Sequence, residues 1–310
     1  VKAMRIHRYG DVSVIRHDDV PLPAPSDGQV LVRVAATSFN PSEIGLRRGL
    51  LRSVFPLDLP HTLGDDVAGV VAEIGEGVSA FAVGDRVVGR LDGGAAAEYV
   101  TAEAKVLVAA PTTIPLAHAA ALPIAGVTAW QAVFEHADIR PGQRVLVNGA
   151  GGVGRFAIQL AKYAGAHVIA TAGPRSAEAV RRLGADRIVD YTTAPVADAL
   201  DEPVDALLNF AAIDSSQVAE LAPLVRPGGV LVSATLEVGQ LAGPRLRAVR
   251  FVVRNDIEHL AALVKLVDAG AVSVGVEASR PLAELASVHR DAEAGRISGK
   301  TIIVPEGSPA

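Results

Sequence analysis

Gly149, Gly151 and Gly154 stand at the spacing Gly-x-Gly-x-x-Gly, directly after the run Arg144-Val-Leu-Val-Asn148 and ahead of a helical stretch at 153–164. Glycines so placed can hold the pyrophosphate of a dinucleotide. The first allows a tight turn, the second lets the backbone approach the phosphates, and the third lets the helix pack close to the strand. The helix N-terminus then faces the anion. A glycine-rich turn of some other α/β protein is the competing reading. The flanking strand and helix are the context that favours dinucleotide binding.

The next strand bears on which dinucleotide. An acidic residue about 20 positions past the fingerprint would accept the ribose 2′-hydroxyl of NAD. No Asp or Glu lies between Gly154 and Glu178, and Ala172 stands where the acid is expected. Arg175 and Ser176 follow. A guanidinium pairs bidentately with phosphate oxygens, so this turn suits a 2′-phosphate and NADP(H) is the expected cofactor. The other reading of Arg175 is a solvated surface side chain.

These residues need elements to position them. From 1 to about 115 the chain reads as short strands, among them 30–34, 67–74 and 86–89. A loop at 38–41 runs into a helix at 42–48, with Pro41 and Gly49 as its start and stop signals. From 117 to 255, strands at 145–148, 167–171, 187–189, 206–210 and 229–233 alternate with helices at 153–164, 176–183 and 216–225. Such alternation predicts βαβ units, hence an α/β fold with a doubly wound parallel sheet and helices on both faces. The tail reads as helices at 256–269 and 282–295 and a closing strand at 300–304.

Composition narrows the function classes. A length of 310 residues suggests two domains, and 50% hydrophobic residues predict a sizeable core. The net charge of −5 comes without any Lys/Arg block, so no nucleic acid and no anionic membrane is expected as partner. The chain has no cysteine. Disulfides, thiolate zinc sites, iron–sulfur clusters and a cysteine nucleophile are thereby excluded. No signal-peptide pattern opens the chain, and a cytoplasmic location is expected. The longest apolar stretch, 116–130, is too short and too interrupted to span a bilayer.

Many phrases resemble the zinc-independent quinone oxidoreductase (zeta-crystallin-like) group of the medium-chain dehydrogenases/reductases. They include Asp19-Val-Pro-Leu-Pro23, Phe39-Asn-Pro41, Leu63-Gly-Asp-Asp-Val-Ala-Gly69, Val83-Gly-Asp-Arg-Val87, Ala120-Ala-Leu-Pro-Ile-Ala-Gly126, Gly184-Ala-Asp-Arg-Ile-Val-Asp-Tyr191 and Gly299-Lys-Thr-Ile-Ile303. The resemblance implies a GroES-like β-rich catalytic domain at 1–116, completed by 256–310. It implies a Rossmann NADP-binding domain at 117–255, with the cofactor in the cleft between the two. It also implies a homodimer formed along the Rossmann sheet edge, with 250–254 near the interface.

The resemblance further implies which positions touch the cofactor. Asn40 and Thr128 are expected by the nicotinamide and its ribose, and Gly151, Gly152 and Val153 along the pyrophosphate. Arg175, Ser176 and Tyr191 are expected around the adenosine, and Ala212, Ala234, Thr235, Phe251 and Val253 around the nicotinamide. Zinc-dependent relatives carry a cysteine near position 39 and a histidine after Gly64. This chain has Phe39-Asn40 and Asp65 there, so no metal is expected. His61 is the one nearby candidate ligand, and alone it is better read as a structural residue. Many family members have a tyrosine where this chain has Gly45, and Asp or Glu where it has Ser42. The glycine fingerprint is also one residue shorter than the usual quinone-reductase form.

Without zinc there is no Lewis acid to polarise a simple carbonyl. A quinone or an α,β-unsaturated carbonyl, which delocalises negative charge by itself, is then the expected substrate. Asn40 is the candidate catalytic residue, as a donor to a carbonyl oxygen or as the holder of its loop or of the ribose. Tyr99, His61 and His136 are acids on chemistry alone, and a packing or surface role is the better reading of each. An enoyl thioester reductase, and an NADPH-binding sensor or structural protein without turnover, are the alternative readings.

Overall fold

Alternating apolar residues and glycine-punctuated turns give sixteen strands and eight α-helices within residues 1–309, the part of the chain described in the computed structural model. The strands are β1 (Lys2–Ile6), β2 (Ile15–Asp19), β3 (Gln29–Ser38), β4 (His61–Thr62), β5 (Asp66–Ile74), β6 (Arg86–Arg90), β7 (Tyr99–Glu103), β8 (Leu107–Ala109), β9 (Arg144–Asn148), β10 (His167–Thr171), β11 (Arg187–Val189), β12 (Val204–Asn209), β13 (Val225–Ser233), β14 (Leu246–Arg250), β15 (Val276–Pro281) and β16 (Lys300–Val304). The helices are α1 (Ser42–Arg48), α2 (Leu116–Ala119), α3 (Pro123–Trp130), α4 (Gly152–Tyr163), α5 (Pro174–Arg182), α6 (Ser215–Leu221), α7 (Ile257–Asp268) and α8 (Leu285–Glu293).

The chain divides into two compact units. The first comprises Val1–Ile124, Asn255–Ala269 and Val274–Ala310, and the second Ala125–Arg254 and Gly270–Ser273. The first break falls later than position 116. Residues up to Ile124 stay with the first unit, where the Ile124 N–H donates to Asp66 Oδ1 at 2.9 Å.

In the first unit the larger sheet runs β15-β16-β3-β5-β6-β8, with β7 also paired to β3, and β2-β1-β4 form a second sheet. One apolar cluster gathers Val30, Val32, Val67, Val71, Val87 and Leu107 from successive strands. Another joins Met4, Ile6, Phe39 and Leu63 to Leu285, Val288 and Ile303 from the tail. The last strand matters most for function. β16 lies antiparallel to β3, with Ile302 opposite Ser38 and Ile303 opposite Thr37. That register carries Lys300 to the segment just beyond β3, where Phe39 and Asn40 lie. α1 has the boundaries its sequence predicts: Gly49 closes it at φ 75°, a left-handed conformation that glycine adopts without strain.

In the second unit the six strands pair in parallel with one another, in the order β11-β10-β9-β12-β13-β14. The order reverses beside β9, and ligands of open α/β sheets bind outside the carboxyl ends of strands at such a reversal. Two expected helices differ from those observed. α5 begins at Pro174 rather than 176, because proline is pre-organised for the first helical turn and loses no needed N–H there. α6 stops at Leu221, and the expected extension to 225 is replaced by a short 3-10 turn holding Pro223. Proline cannot donate to the preceding helical turn. β13 then starts at Val225, earlier than the predicted 229.

Candidate functional site

The second unit builds its site at the carboxyl ends of its strands. Directly after β9, Gly149 takes φ 98°, and a Cβ there would lie 2.6 Å from the Ala211 nitrogen. Gly154 has no unusual φ, yet a Cβ would fall 1.9 Å from the Gly149 carbonyl oxygen. Gly151 is different, since a Cβ there meets nothing within 4 Å. Two glycines are thus demanded by the turn's own packing, and the third leaves the outer side of the turn bare. Gly151 is the N-cap of α4 and has no side chain to accept from its first-turn N–H groups. Those donors, on residues that include Gly152, Val153 and Gly154, suit a phosphate. The residues present therefore fit a dinucleotide pyrophosphate.

A hydrogen-bonded chain not anticipated from sequence sets this turn. The Gly149 N–H donates to Thr171 Oγ1 (2.8 Å), which donates to Asn148 Oδ1 (3.0 Å). Asn148 Nδ2 donates to Asn209 Oδ1 (2.8 Å), and Asn209 Nδ2 to Thr235 Oγ1 (3.0 Å). Thr235 Oγ1 closes on the Ala211 carbonyl at 3.1 Å. Links from β10, β9 and β12 and from the loop after β13 are joined, and buried polar groups satisfied this way hold a unique geometry.

The other expected cofactor residues also follow strand ends. Arg175 and Ser176 open α5 just after β10; Ser176 Oγ donates to the Gly173 carbonyl at 3.2 Å. Arg175 is exposed and forms no hydrogen bond or ion pair with the described residues. Tyr191, beyond β11, is 59% exposed, and its hydroxyl lies 3.4 Å from where a Gly173 Cβ would stand. Arg175, Ser176 and Tyr191 thus flank one turn. Ala212 follows β12 and is exposed, while Ala234 and Thr235 follow β13. Phe251 and Val253 follow β14; Phe251 is buried, and its ring packs against His136 at a tilt of 42° with centroids 4.4 Å apart. Thr128 is buried on α3.

The first unit holds a second polar cluster, centred on Asn40. Lys300 Nζ donates to Asn40 Oδ1 (2.9 Å) and to the Phe39 carbonyl (3.1 Å). A lysine only donates, so it fixes which end of the amide faces it. Asn40 Nδ2 accordingly donates to Asp66 Oδ2 (2.9 Å) and to the Ser38 carbonyl (3.2 Å). Ser38 Oγ also donates to Asp66. The Asn40 N–H donates to Glu43 Oε1 at 2.9 Å. Asp66, Glu43, Asn40 and Lys300 are all buried. The amide hydrogens of Asn40 are committed within this cluster. A substrate carbonyl could take one only by displacing the longer bond to Ser38.

Burial sets the ionisation of this cluster. It pushes the Glu43 carboxyl well above its ordinary range, and neighbouring Asp65 adds to the effect. It lowers the Lys300 ammonium, which the charges of Asp66 and Glu43 oppose. Asp65 rises to about 7, through burial first and the Asp66 charge second, while Arg90 acts the other way. His61 and His136 are both lowered, chiefly by burial, which makes each a poor acid near neutrality. His289, pressed edge-on against Phe39, is held down to about 3 by burial and by Arg47. From sequence, Asn40 is named and the doubled aspartates after Gly64 are visible, whereas Glu43 and Lys300 receive no role. Nothing near Lys300 in sequence points to Asn40.

Comparison with known proteins bears on both sites. Residues 26–112 match the alcohol dehydrogenase GroES-like domain family, and 183–303 match the zinc-binding dehydrogenase family. A chloroplast envelope quinone oxidoreductase homolog of Arabidopsis thaliana is 34% identical, covering 98% of this chain and 98% of its own. An NADPH-dependent alkenal/one oxidoreductase of the Arabidopsis thaliana chloroplast is 33% identical, covering 98% of this chain and 80% of its own. The solved quinone oxidoreductase of Coxiella burnetii superposes with a TM-score of 0.89 at 31% identity, covering 98% of each chain.

Proposed function

The chain belongs to the quinone oxidoreductase family of the medium-chain dehydrogenases/reductases, and from that premise we propose an NADPH-dependent reduction of quinones or α,β-unsaturated carbonyls. The observation that carries this reading is the glycine turn of 149–154. Its inner side is packed tight and its outer side is bare at Gly151, next to first-turn N–H donors. The 2′-phosphate preference is supported by Arg175, exposed and unengaged beside Ser176 and Tyr191, in a turn without an acidic residue.

Bound NADPH supplies the hydride. The chain's own residues bind and orient. In this reading Gly149, Gly151, Gly152, Val153 and Gly154 receive the pyrophosphate. Thr128, Ala212, Ala234, Thr235, Phe251 and Val253 surround the nicotinamide end. Asn40 is the catalytic candidate of the first unit, held by Lys300 and Asp66 so that its amide plane is fixed. No zinc takes part in this reading. The cluster offers oxygens and an ammonium, without the thiolate or imidazole that zinc favours, and Lys300 lies 3.9 Å from Asp66 as a resident cation. A homodimer and a cytoplasmic location complete the reading. No described helix is long and apolar enough to cross a membrane.

The direct test is steady-state NADPH oxidation with 1,4-benzoquinone, 9,10-phenanthrenequinone, methyl vinyl ketone and a crotonyl thioester, with NADH in parallel. Turnover of quinones or enones with preference for NADPH is expected. Best turnover of the thioester would instead indicate an enoyl reductase. Intact NADPH binding without turnover of any acceptor would indicate a sensor.

Arg175→Ala tests the cofactor assignment. The KM for NADPH should rise by about 10-fold or more, since a charge-assisted phosphate contact contributes about 1.5–3 kcal/mol. The KM for NADH should hardly change. Equal losses with both cofactors would remove Arg175 from the 2′-phosphate site.

A further inference from the structure

We propose that Thr171 is a positioning residue of the dinucleotide turn, standing at the head of a one-way relay of hydrogen bonds that sets the turn before any cofactor arrives. This role presupposes the NADPH reading above and belongs to residues that lie beneath the binding surface.

The relay follows one row of the sheet. β10, β9, β12 and β13 end on Thr171, Asn148, Asn209 and Ser233, and all four residues are buried. The residues just before them, Ala170, Val147, Leu208 and Val232, are apolar and buried as well. Parallel pairing puts Asn209 opposite Asn148 and Ser233 opposite Asn209, while Ala170 opposite Val147 brings Thr171 level with Asn148. An apolar sheet is thus closed by polar side chains at its carboxyl edge. Buried polar groups are costly without partners, so the row has to satisfy itself.

The ends of the relay fix its direction. The Gly149 N–H can only donate, and the Ala211 carbonyl can only accept. Between them, Thr171 accepts from Gly149 and donates to Asn148, Asn148 donates to Asn209, Asn209 to Thr235, and Thr235 to Ala211. Each side chain accepts on one side and donates on the other. Hydroxyls and amides do both, whereas a carboxylate only accepts, an ammonium only donates and an apolar group does neither.

The relay also closes on itself. The Ala211 N–H returns to the Asn148 carbonyl at 3.1 Å, and a Cβ on Gly149 would lie 2.6 Å from that same nitrogen. The backbones at the two ends therefore lie against each other. Ser233 Oγ supports the far end by accepting from the Leu236 N–H at 3.3 Å. Of the relay's side chains only Thr235 is exposed, so the path runs from a packed turn to the surface.

A turn held this way is ordered before binding, and affinity gains because no ordering remains to be done. A break at any link frees the Asn148 and Asn209 amides to rotate and is transmitted to Gly149. Residues of one network respond as a unit, so losses along the relay should not add.

The experiment compares wild type with Thr171→Val, Thr171→Ser, Thr235→Val and Thr171→Val/Thr235→Val. One readout is amide hydrogen exchange of Gly149 in the cofactor-free protein, by NMR of glycine-15N-labelled chains. The other is the Kd for NADPH and for adenosine 2′-monophosphate, by titration calorimetry. Valine keeps the shape of threonine but neither accepts nor donates. Thr171→Val should exchange Gly149 about 10-fold faster and bind NADPH about 10-fold more weakly, the loss of one hydrogen bond in a network. Thr171→Ser, which restores the hydroxyl, should stay within about 3-fold of wild type in both. Adenosine 2′-monophosphate needs only the turn of Arg175, and Thr171→Val should bind it within about 3-fold of wild type. Thr235→Val changes an exposed residue, yet it too should speed Gly149 exchange, although Thr171, Asn148 and Asn209 stand between the two in the relay. The double variant should bind NADPH about as weakly as Thr171→Val alone. Wild-type Gly149 exchange in Thr171→Val overturns the proposal, as does a serine variant no better than the valine one. Multiplied losses in the double variant overturn it as well, and so does adenosine 2′-monophosphate binding that falls as far as NADPH binding. If wild type binds neither NADPH nor NADH while Gly149 exchange responds as expected, the cofactor reading fails and the relay stands.

Discussion

Gly154→Ala should cost the protein both its nucleotide affinity and a measurable part of its stability. An added methyl would sit 1.9 Å from the Gly149 carbonyl oxygen and 2.9 Å from its carbon. Both are backbone atoms, so no side chain can swing aside. Either the turn after β9 opens or α4 withdraws from the sheet. Forcing an extra methyl into such packing costs about 1–3 kcal/mol. The same movement displaces the α4 N–H groups assigned to the pyrophosphate in the proposed reading, and NADPH affinity should fall by about 10²-fold, the effect of about 2.7 kcal/mol of lost contacts. Gly151→Ala is the informative partner. Its φ is −82° and its Cβ would meet nothing within 4 Å, so its melting temperature should match wild type. NADPH binding should still weaken, because the methyl would stand where the phosphates approach. Thermal unfolding and fluorescence titration of both variants separate the two roles. Equal behaviour of the pair would refute the division between inner packing and outer contact.

Lys300→Met should destabilise the first unit by about 3–5 kcal/mol, the usual effect of breaking a buried ion pair by removing one partner. The methionine fills a similar volume but leaves Asn40 Oδ1 and the Phe39 carbonyl without donors. It also leaves Asp66 without its nearby cation at 3.9 Å. Much of the loss is therefore the penalty of a stranded carboxylate rather than a missing attraction. Lys300→Met/Asp66→Asn should then be more stable than Lys300→Met, a non-additivity expected for two residues of one network. Urea denaturation of wild type, both single variants and the double variant gives the cycle. Strict additivity would show that Lys300 and Asp66 do not act on each other. A second readout follows from Asn40. With its oxygen released, its amide can rotate, and kcat should fall more than NADPH binding weakens.

Local signals carried much of the architecture. Pro41 and Gly49 bracket α1 because each acts through its own backbone: a fixed φ at the start and a left-handed stop. β10, β11 and β16 have the boundaries their β-branched runs predict. Errors came where one residue overrode its neighbours, as Pro223 does in ending the helical run after Leu221. The fingerprint glycines Gly149, Gly151 and Gly154 were legible for the same local reason, although their separate roles were not. Only the atoms met by a Cβ at each position distinguish Gly154, locked against Gly149, from Gly151, open to the outside.

The polar clusters lay beyond such reading. Thr171 meets Asn148, and Asn209 meets Thr235, across strands that are neighbours only in the folded sheet. Asp65 and Asp66 are adjacent and chemically identical in sequence. Folding buries Asp66 among three donors and gives the Asp65 side chain none among the described residues, a difference that their identical side chains do not carry.

By itself the sequence determined the α/β class, the glycine-rich strand–turn–helix of 144–163, and the absence of an acid between Gly154 and Glu178. These depend on residue type and short spacing, which the chain carries wherever it folds. Tertiary structure alone decided that Lys300, 260 residues away, holds Asn40, because antiparallel pairing of β16 with β3 brings the two ends of the unit together. Charge state was decided there too, since the free energy of an ionised group depends on the solvent and partners that surround it in the fold.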